Sequence, residues 1–77
     1  MVTDNLNVVA LALYAGSRVS SSRISDGNRV EFNLELTPEA ETLIGQSRLG
    51  GLQVDLLRYV AAQEEMRGHV RRARASR

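Results

Sequence analysis

Residues 29–38 read RVEFNLELTP, and this stretch contributes most to predicting the fold. Apolar and polar side chains alternate from position 29 to position 36, which predicts a β-strand with one buried face. Thr37 and Pro38 then favour a helix start, because threonine caps helix N-termini and proline fits the first helical position. A strand followed directly by a helix indicates an α+β domain.

The segments before this stretch are less decisive. Residues 6–14, LNVVALALY, are apolar at both odd and even positions, which fits a strand buried on both faces or one end of a buried helix. Residues 17–24 predict a weak strand. Asp26, Gly27 and Asn28 predict a turn, because Asp-Gly between extended segments favours a hairpin.

Two helices are expected after the central strand. The first is short, near 38–47, and the glycines at 50 and 51 end it. The second is long, near 52–72, and one side of it has residues spaced four and three apart, all apolar except Gln63: Leu52, Leu56, Tyr59, Gln63, Met66, Val70 and Ala73. We therefore predict an α+β fold, with a small antiparallel sheet of two to three strands followed by a short and a long helix.

The two halves of the long helix differ in their apolar content. Val54, Leu57, Val60 and Ala61 widen the apolar stripe in the first half, which we expect to pack on the domain. The second half has only a narrow seam. It is expected either to pair weakly with a partner helix or to form a frayed, solvated end.

The composition excludes several classes of protein. The chain has 77 residues, no cysteine and a single histidine, so it is one domain without disulfides or thiolate metal sites. His69 lies in the basic end of the chain, where a solvated surface histidine is expected, and no phosphate-binding loop is present. We expect a protein without catalytic activity, cofactor or metal. Because so small a core stabilises weakly, a homo-oligomer, most simply a dimer, is also expected.

Charge is divided unevenly along the chain. Residues 1–66 carry five arginines and nine acidic residues, whereas residues 67–77 carry five arginines and no acidic residue. We therefore expect a compact domain over 1–66 and a basic helical end or tail over 67–77. Such asymmetry points to contact with nucleic acid or an acidic surface. The candidate residues of this tail are Arg67, Arg71, Arg72 and Arg74.

An acidic surface is expected on the other part of the chain. The polar side of the central strand carries Glu31, Asn33 and Glu35, and Glu39 and Glu41 follow in the first helix. These side chains favour a protein partner with a basic surface, because complementary charge orients and accelerates association. The apolar run 8–15 is too short to span a membrane and no positive charge precedes it, so a cytoplasmic protein without membrane contact is expected.

The segment from Glu31 to Pro38, followed by two helices, resembles the ribbon-helix-helix repressors of the Arc type. The resemblance covers about residues 29–66. In that family two chains pair their strands into a ribbon that lies in the DNA major groove. The resemblance implies that Glu31, Asn33 and Glu35 face the bases while Phe32 and Leu34 lie in the dimer core.

In size the chain is also similar to small phage and mobile-element inhibitors, a class that includes anti-CRISPR proteins. We therefore favour a non-enzymatic protein-binding module, such as an inhibitor of a host nucleic-acid-handling complex. The alternatives are a DNA-binding repressor of the ribbon-helix-helix type and a small structural or assembly subunit.

Overall fold

The fold is given by a computed structural model, which describes residues 1–25, 27 and 29–75. Within these residues six elements follow one another: β1 (Val2–Thr3), α1 (Leu6–Tyr14), β2 (Arg18–Ile24), β3 (Val30–Glu35), α2 (Pro38–Arg48) and α3 (Leu56–Ala75). The α+β class is confirmed, as are the antiparallel sheet and the order of a short and a long helix after it.

The predicted central strand is the middle strand of the sheet. β3 pairs antiparallel with β1 on one side and with β2 on the other. Its alternation is confirmed, because Val30, Phe32 and Leu34 are buried. These side chains share one core with residues of all three helices, so the helices cover one face of the sheet. The core residues are Val9, Ala12, Ala15, Val30, Phe32, Leu34, Ala40 and Met66.

The strand expected over 17–24 forms with an irregularity. Val19 lies opposite Leu34 and Ser21 lies opposite Asn33, so Ser20 is an extra residue in β2. The Ser20 hydroxyl donates a hydrogen bond of 2.9 Å to the Asn33 carbonyl oxygen. This bulge explains why the apolar Val19 and Ile24, which have opposite parity in the sequence, both pack against the core.

Residues 6–14 form a helix, which decides between the two interpretations left open by the sequence. The Asn5 side chain caps α1 by accepting hydrogen bonds from the backbone N–H groups of Asn7 and Val8. Residues 9–12 are buried, because α1 packs against α2, α3 and the sheet. A helix enclosed in this way is apolar on all sides and therefore shows no amphipathic period.

The start and end of α2 follow the predicted signals. The Thr37 hydroxyl accepts a hydrogen bond from the Ala40 N–H at 3.1 Å, and Pro38 is the first helical residue. At the other end Gly50 has φ of +78°, and the Gly51 N–H donates to the Gln46 carbonyl oxygen at 3.3 Å. This left-handed glycine closes the helix in the Schellman arrangement. In the predicted turn at 26–28, Gly27 also has a positive φ of 74°, whereas Asp26 and Asn28 lie outside the described residues.

α3 differs from expectation in both of its halves. It begins at Leu56 rather than near residue 52 and continues to Ala75. The prediction that its first half packs on the domain is wrong for Leu56 and Leu57, which are 72% and 81% exposed, whereas Tyr59 is partly buried. In the second half, Met66 is buried and Val70 and Ala73 pack against the core. The expected frayed, solvated end is therefore a packed helix as far as residue 75.

Candidate interaction surfaces

Three of the predicted acidic-face residues lie together on the open side of the sheet. Asn33 and Glu35 are exposed, and Glu31, on the same side of β3, is partly exposed. Glu31 accepts two hydrogen bonds from the Arg23 guanidinium, at 2.9 Å from Nε and 2.7 Å from Nη2. The charge of Glu31 is therefore already paired within the sheet.

The open side of the sheet is not uniformly acidic, and the other two predicted acidic residues lie on α2. In the sheet register Arg18 lies opposite Glu35, so the open side of the sheet carries both signs of charge. Glu39 and Glu41 are exposed in the first turn of α2. Carboxylates at that position favour the positive end of the helix dipole, which is sufficient reason for their presence there.

The four predicted tail arginines all lie on α3, but they do not share one environment. Arg67 pairs with Glu64 at 2.6 Å, and both side chains are about half exposed. Arg72 contacts the His69 Nδ1 at 3.1 Å. Among residues 1–25, 27 and 29–75, Arg71 and Arg74 have no hydrogen-bond or ion-pair partner.

Helical spacing separates these arginines into two groups. Arg67, Arg71 and Arg74 are four and three residues apart, so they lie along one side of α3. All three are exposed. We call Arg67, Arg71 and Arg74 the arginine stripe. Each of these arginines directly follows Met66, Val70 or Ala73, which hold the helix on the core, so the stripe lies about 100° around the helix from the packed side.

His69 is not the solvated surface histidine that the sequence suggests. Its side chain is only 25% exposed and its ring lies edge-on to Phe32, with centroids 6.4 Å apart. Burial lowers the pKa of His69 from its ordinary value, the Arg72 guanidinium lowers it further, and Glu65 acts in the opposite direction. Since Arg72 can only donate, the neutral ring accepts at Nδ1 and carries its proton at Nε2.

The first turn of α3 exposes an apolar surface that the sequence did not predict. Leu56 and Leu57 begin the helix, and Val60, one turn later, is 43% exposed. Residues three and four apart are neighbours on a helix, so the three side chains adjoin. We call Leu56, Leu57 and Val60 the leucine surface. The sequence feature that comes closest to indicating this surface is Asp55. Aspartate favours the N-cap position, and a cap there makes Leu56 and Leu57 the first residues of the helix.

The helix start that carries the leucine surface is firmly held. The Asp55 carboxylate accepts a hydrogen bond of 2.9 Å from the Arg58 N–H, and the Asp55 N–H donates one of 2.9 Å to the Tyr14 hydroxyl. The Arg58 guanidinium lies 4.6 Å from the centroid of the Tyr14 ring. Tyr14 thus anchors the inner side of this turn to the end of α1, while the leucines project on the other side.

Within 1–25, 27 and 29–75, no group of three or more histidine, cysteine or acidic side chains could hold a metal ion. No helix in this part of the chain combines the length and apolarity that a membrane crossing requires.

Comparisons of the chain with protein-family models, with curated proteins and with solved structures find no significant match.

Proposed function

We propose that this chain is a non-enzymatic protein-binding module, and that the leucine surface is its principal contact. The observation that supports this is the exposure of Leu56 and Leu57 on a turn anchored by Asp55 and Tyr14. Single exposed apolar residues are ordinary on protein surfaces, whereas adjoining large ones mark interaction sites.

Burial of the leucine surface in an interface would stabilise a complex with a partner. Burying one leucine side chain contributes about 1.5–3 kcal/mol, so these two leucines together supply a substantial part of the binding free energy of a modest interface. Association costs several kcal/mol in lost motion, and a pre-ordered contact reduces that cost. The Asp55 cap and the Tyr14 contact provide this order before a partner arrives.

The inhibitor role is the more specific form of the proposal. A small module without catalytic residues acts by occupying a surface of a larger protein, as phage and mobile-element inhibitors of host nucleic-acid-handling complexes do. The acidic face remains a second candidate contact for a basic partner. Because Arg23 already pairs with Glu31, we expect Glu35 to contribute more of that attraction than Glu31.

The ribbon-helix-helix repressor is the alternative proposal. It requires β3 to pair with the same strand of a second chain. In this fold β3 is bonded to β1 on one side and β2 on the other, so a ribbon would require one of them to be displaced. Under this alternative, Asn33→Ala lowers the affinity for one specific duplex sequence. A structural or assembly subunit, the second alternative, would instead form higher oligomers by itself.

The test compares proteins captured by the wild-type chain and by Leu57→Glu from a nuclease-treated bacterial lysate, measured by quantitative mass spectrometry. We expect Leu57→Glu to lose a partner that the wild type retains. Glutamate in the first turn favours the helix dipole, so the variant should fold. Val2→Glu, at an apolar position 63% exposed on β1, is the matched control and should retain the partner. Equal capture by both variants and the wild type would overturn the proposal.

A further inference from the structure

We infer that the arginine stripe of α3 binds the phosphate backbone of double-stranded nucleic acid, independently of base sequence. This goes beyond the proposed protein-binding function, because it uses other residues and another class of partner. It also differs from the repressor alternative, in which β3 rather than α3 contacts DNA. The charge and geometry of Arg67, Arg71 and Arg74 carry the inference.

The stripe has charge available for a ligand. Arg71 and Arg74 have no ion-pair partner among the described residues, and Arg67 has only the exposed Glu64. No acidic residue follows Glu65 in the sequence. An exposed pair such as Arg67 and Glu64 contributes little and exchanges readily, so Arg67 can turn to a phosphate at small cost.

The stripe is also held in place by the packing of the helix. Met66 is buried, and Val70 and Ala73 lie against the core on the side of α3 next to the stripe. The three arginines therefore project from a fixed backbone rather than from a disordered tail. This lowers the ordering cost that a flexible basic segment would have on binding.

The length of the stripe matches the spacing of phosphates. Seven residues separate Arg67 from Arg74, which is about 10.5 Å along a helix axis. One strand of a duplex presents a phosphate about every 3.4 Å of its axis, so arginines spread over this length on long, flexible side chains can contact about three successive phosphates. Each guanidinium offers a planar fork of donors that suits phosphate oxygens.

A duplex fits this surface better than a single strand does. Single-strand binding relies on exposed aromatic rings on which the bases stack. The chain has three aromatic residues, and Phe32 is fully buried while Tyr14 and Tyr59 are half-buried against each other. Contact is therefore expected with the backbone alone, which gives weak and salt-dependent binding.

Arg74 also lies in the last turn of α3, where a positive charge stabilises the helix dipole. A purely structural role would therefore change stability without creating an anion site. Truncation after Met66 cannot separate these roles, because it would also remove the packing of Val70 and Ala73. Substitution of the exposed arginine side chains leaves that packing in place, so it separates a structural role from phosphate binding.

The experiment measures fluorescence anisotropy of a labelled 20-base-pair random duplex with the full chain at NaCl concentrations from about 20 to 150 mM. Three phosphate contacts predict a slope of log K against log salt of about −2.7. The double variant Arg71→Gln with Arg74→Gln should reduce the magnitude of that slope by about two. Circular dichroism should show an unchanged helix content in the variant.

The control is Arg18→Gln with Arg48→Gln, which removes the same charge from exposed positions on β2 and α2. We expect it to retain the wild-type slope. Equal losses in the two double variants would overturn the inference, because net charge alone would then explain binding. Absence of duplex binding at the lowest salt would overturn it as well.

Two further measurements separate the possible partners. Binding of the wild type to poly-glutamate of matched charge as tightly as to the duplex would overturn the inference in favour of an acidic protein surface. Leu57→Glu should bind the duplex as the wild type does. If it does while losing its captured protein, the two surfaces act separately, so failure of one proposal leaves the other testable.

Discussion

The two halves of α3 follow the same helical spacing but bury different kinds of side chain. The first half exposes Leu56 and Leu57 and buries the small Ala62, whereas the second half exposes arginines and buries Met66. The half with more apolar residues is thus the less completely buried. The position of neighbouring elements, and not apolar content, therefore decides which side of this helix packs.

Tyr14 and Phe32 show how this arises. Tyr14, at the end of α1, contacts Asp55 and Arg58 on the inner side of the first turn of α3. Phe32, in the centre of the sheet, contacts the His69 ring in the second half of α3. Because no described element lies against the outer side of the first turn, the leucines there remain exposed.

The largest expected effect comes from large-to-small substitution in the second half. Met66→Ala should lower the free energy of unfolding by about 2–5 kcal/mol, because it leaves a cavity beside the core. Leu57→Ala, in the first half, should change it by less than about 0.5 kcal/mol. Urea unfolding followed by circular dichroism measures both. Similar losses in the two variants would contradict the contrast between the halves.

The next largest effect concerns the anchor of the first turn. Asp55→Ala should cost about 1 kcal/mol, because it removes the acceptor for the Arg58 N–H. Hydrogen exchange should accelerate at residues 56–60 more than at residues 66–70. Asp55→Asn keeps an acceptor and serves as the control. Unchanged hydrogen exchange at residues 56–60 in Asp55→Ala would mean that Tyr14 alone holds the first turn.

His69 should make the second half sensitive to pH. Its pKa is lowered in the folded chain, so the unfolded chain binds the proton more readily and stability falls as pH drops below about 6.5. Above that pH His69 is neutral in both states, so its stabilising contribution is complete. His69→Gln should flatten this part of the dependence between pH 7.5 and 5.5, measured by thermal unfolding. An unchanged pH profile would show that other groups cause it.

The smallest expected effect is at the junction of the two halves. Glu64→Gln removes the partner of Arg67 from an exposed pair, so the free energy of unfolding should change by less than about 0.5 kcal/mol. The same variant should bind the duplex slightly more tightly at low salt, since one negative charge beside the stripe is lost. Weaker duplex binding would show that the pair positions Arg67.

Much of the fold was predictable from local signals. The alternation from Val30 to Glu35 and the capping pair Thr37 and Pro38 each act within a few residues, and both are confirmed. The arginines of the stripe could also be selected, because their charge and spacing are visible in the sequence. Their presentation on a packed helix could not be predicted, because it depends on contacts between Val70 and the distant core.

The central strand, the start and end of α2, and the uneven charge all follow from the sequence. These depend on backbone preferences and side chains that interact over a few residues. Three features are visible only in the folded chain: the helix at residues 6–14, the pairing of Arg23 with Glu31, and the exposure of the leucine surface. Those outcomes depend on which segments, distant in sequence, occupy each face, and local patterns do not encode that.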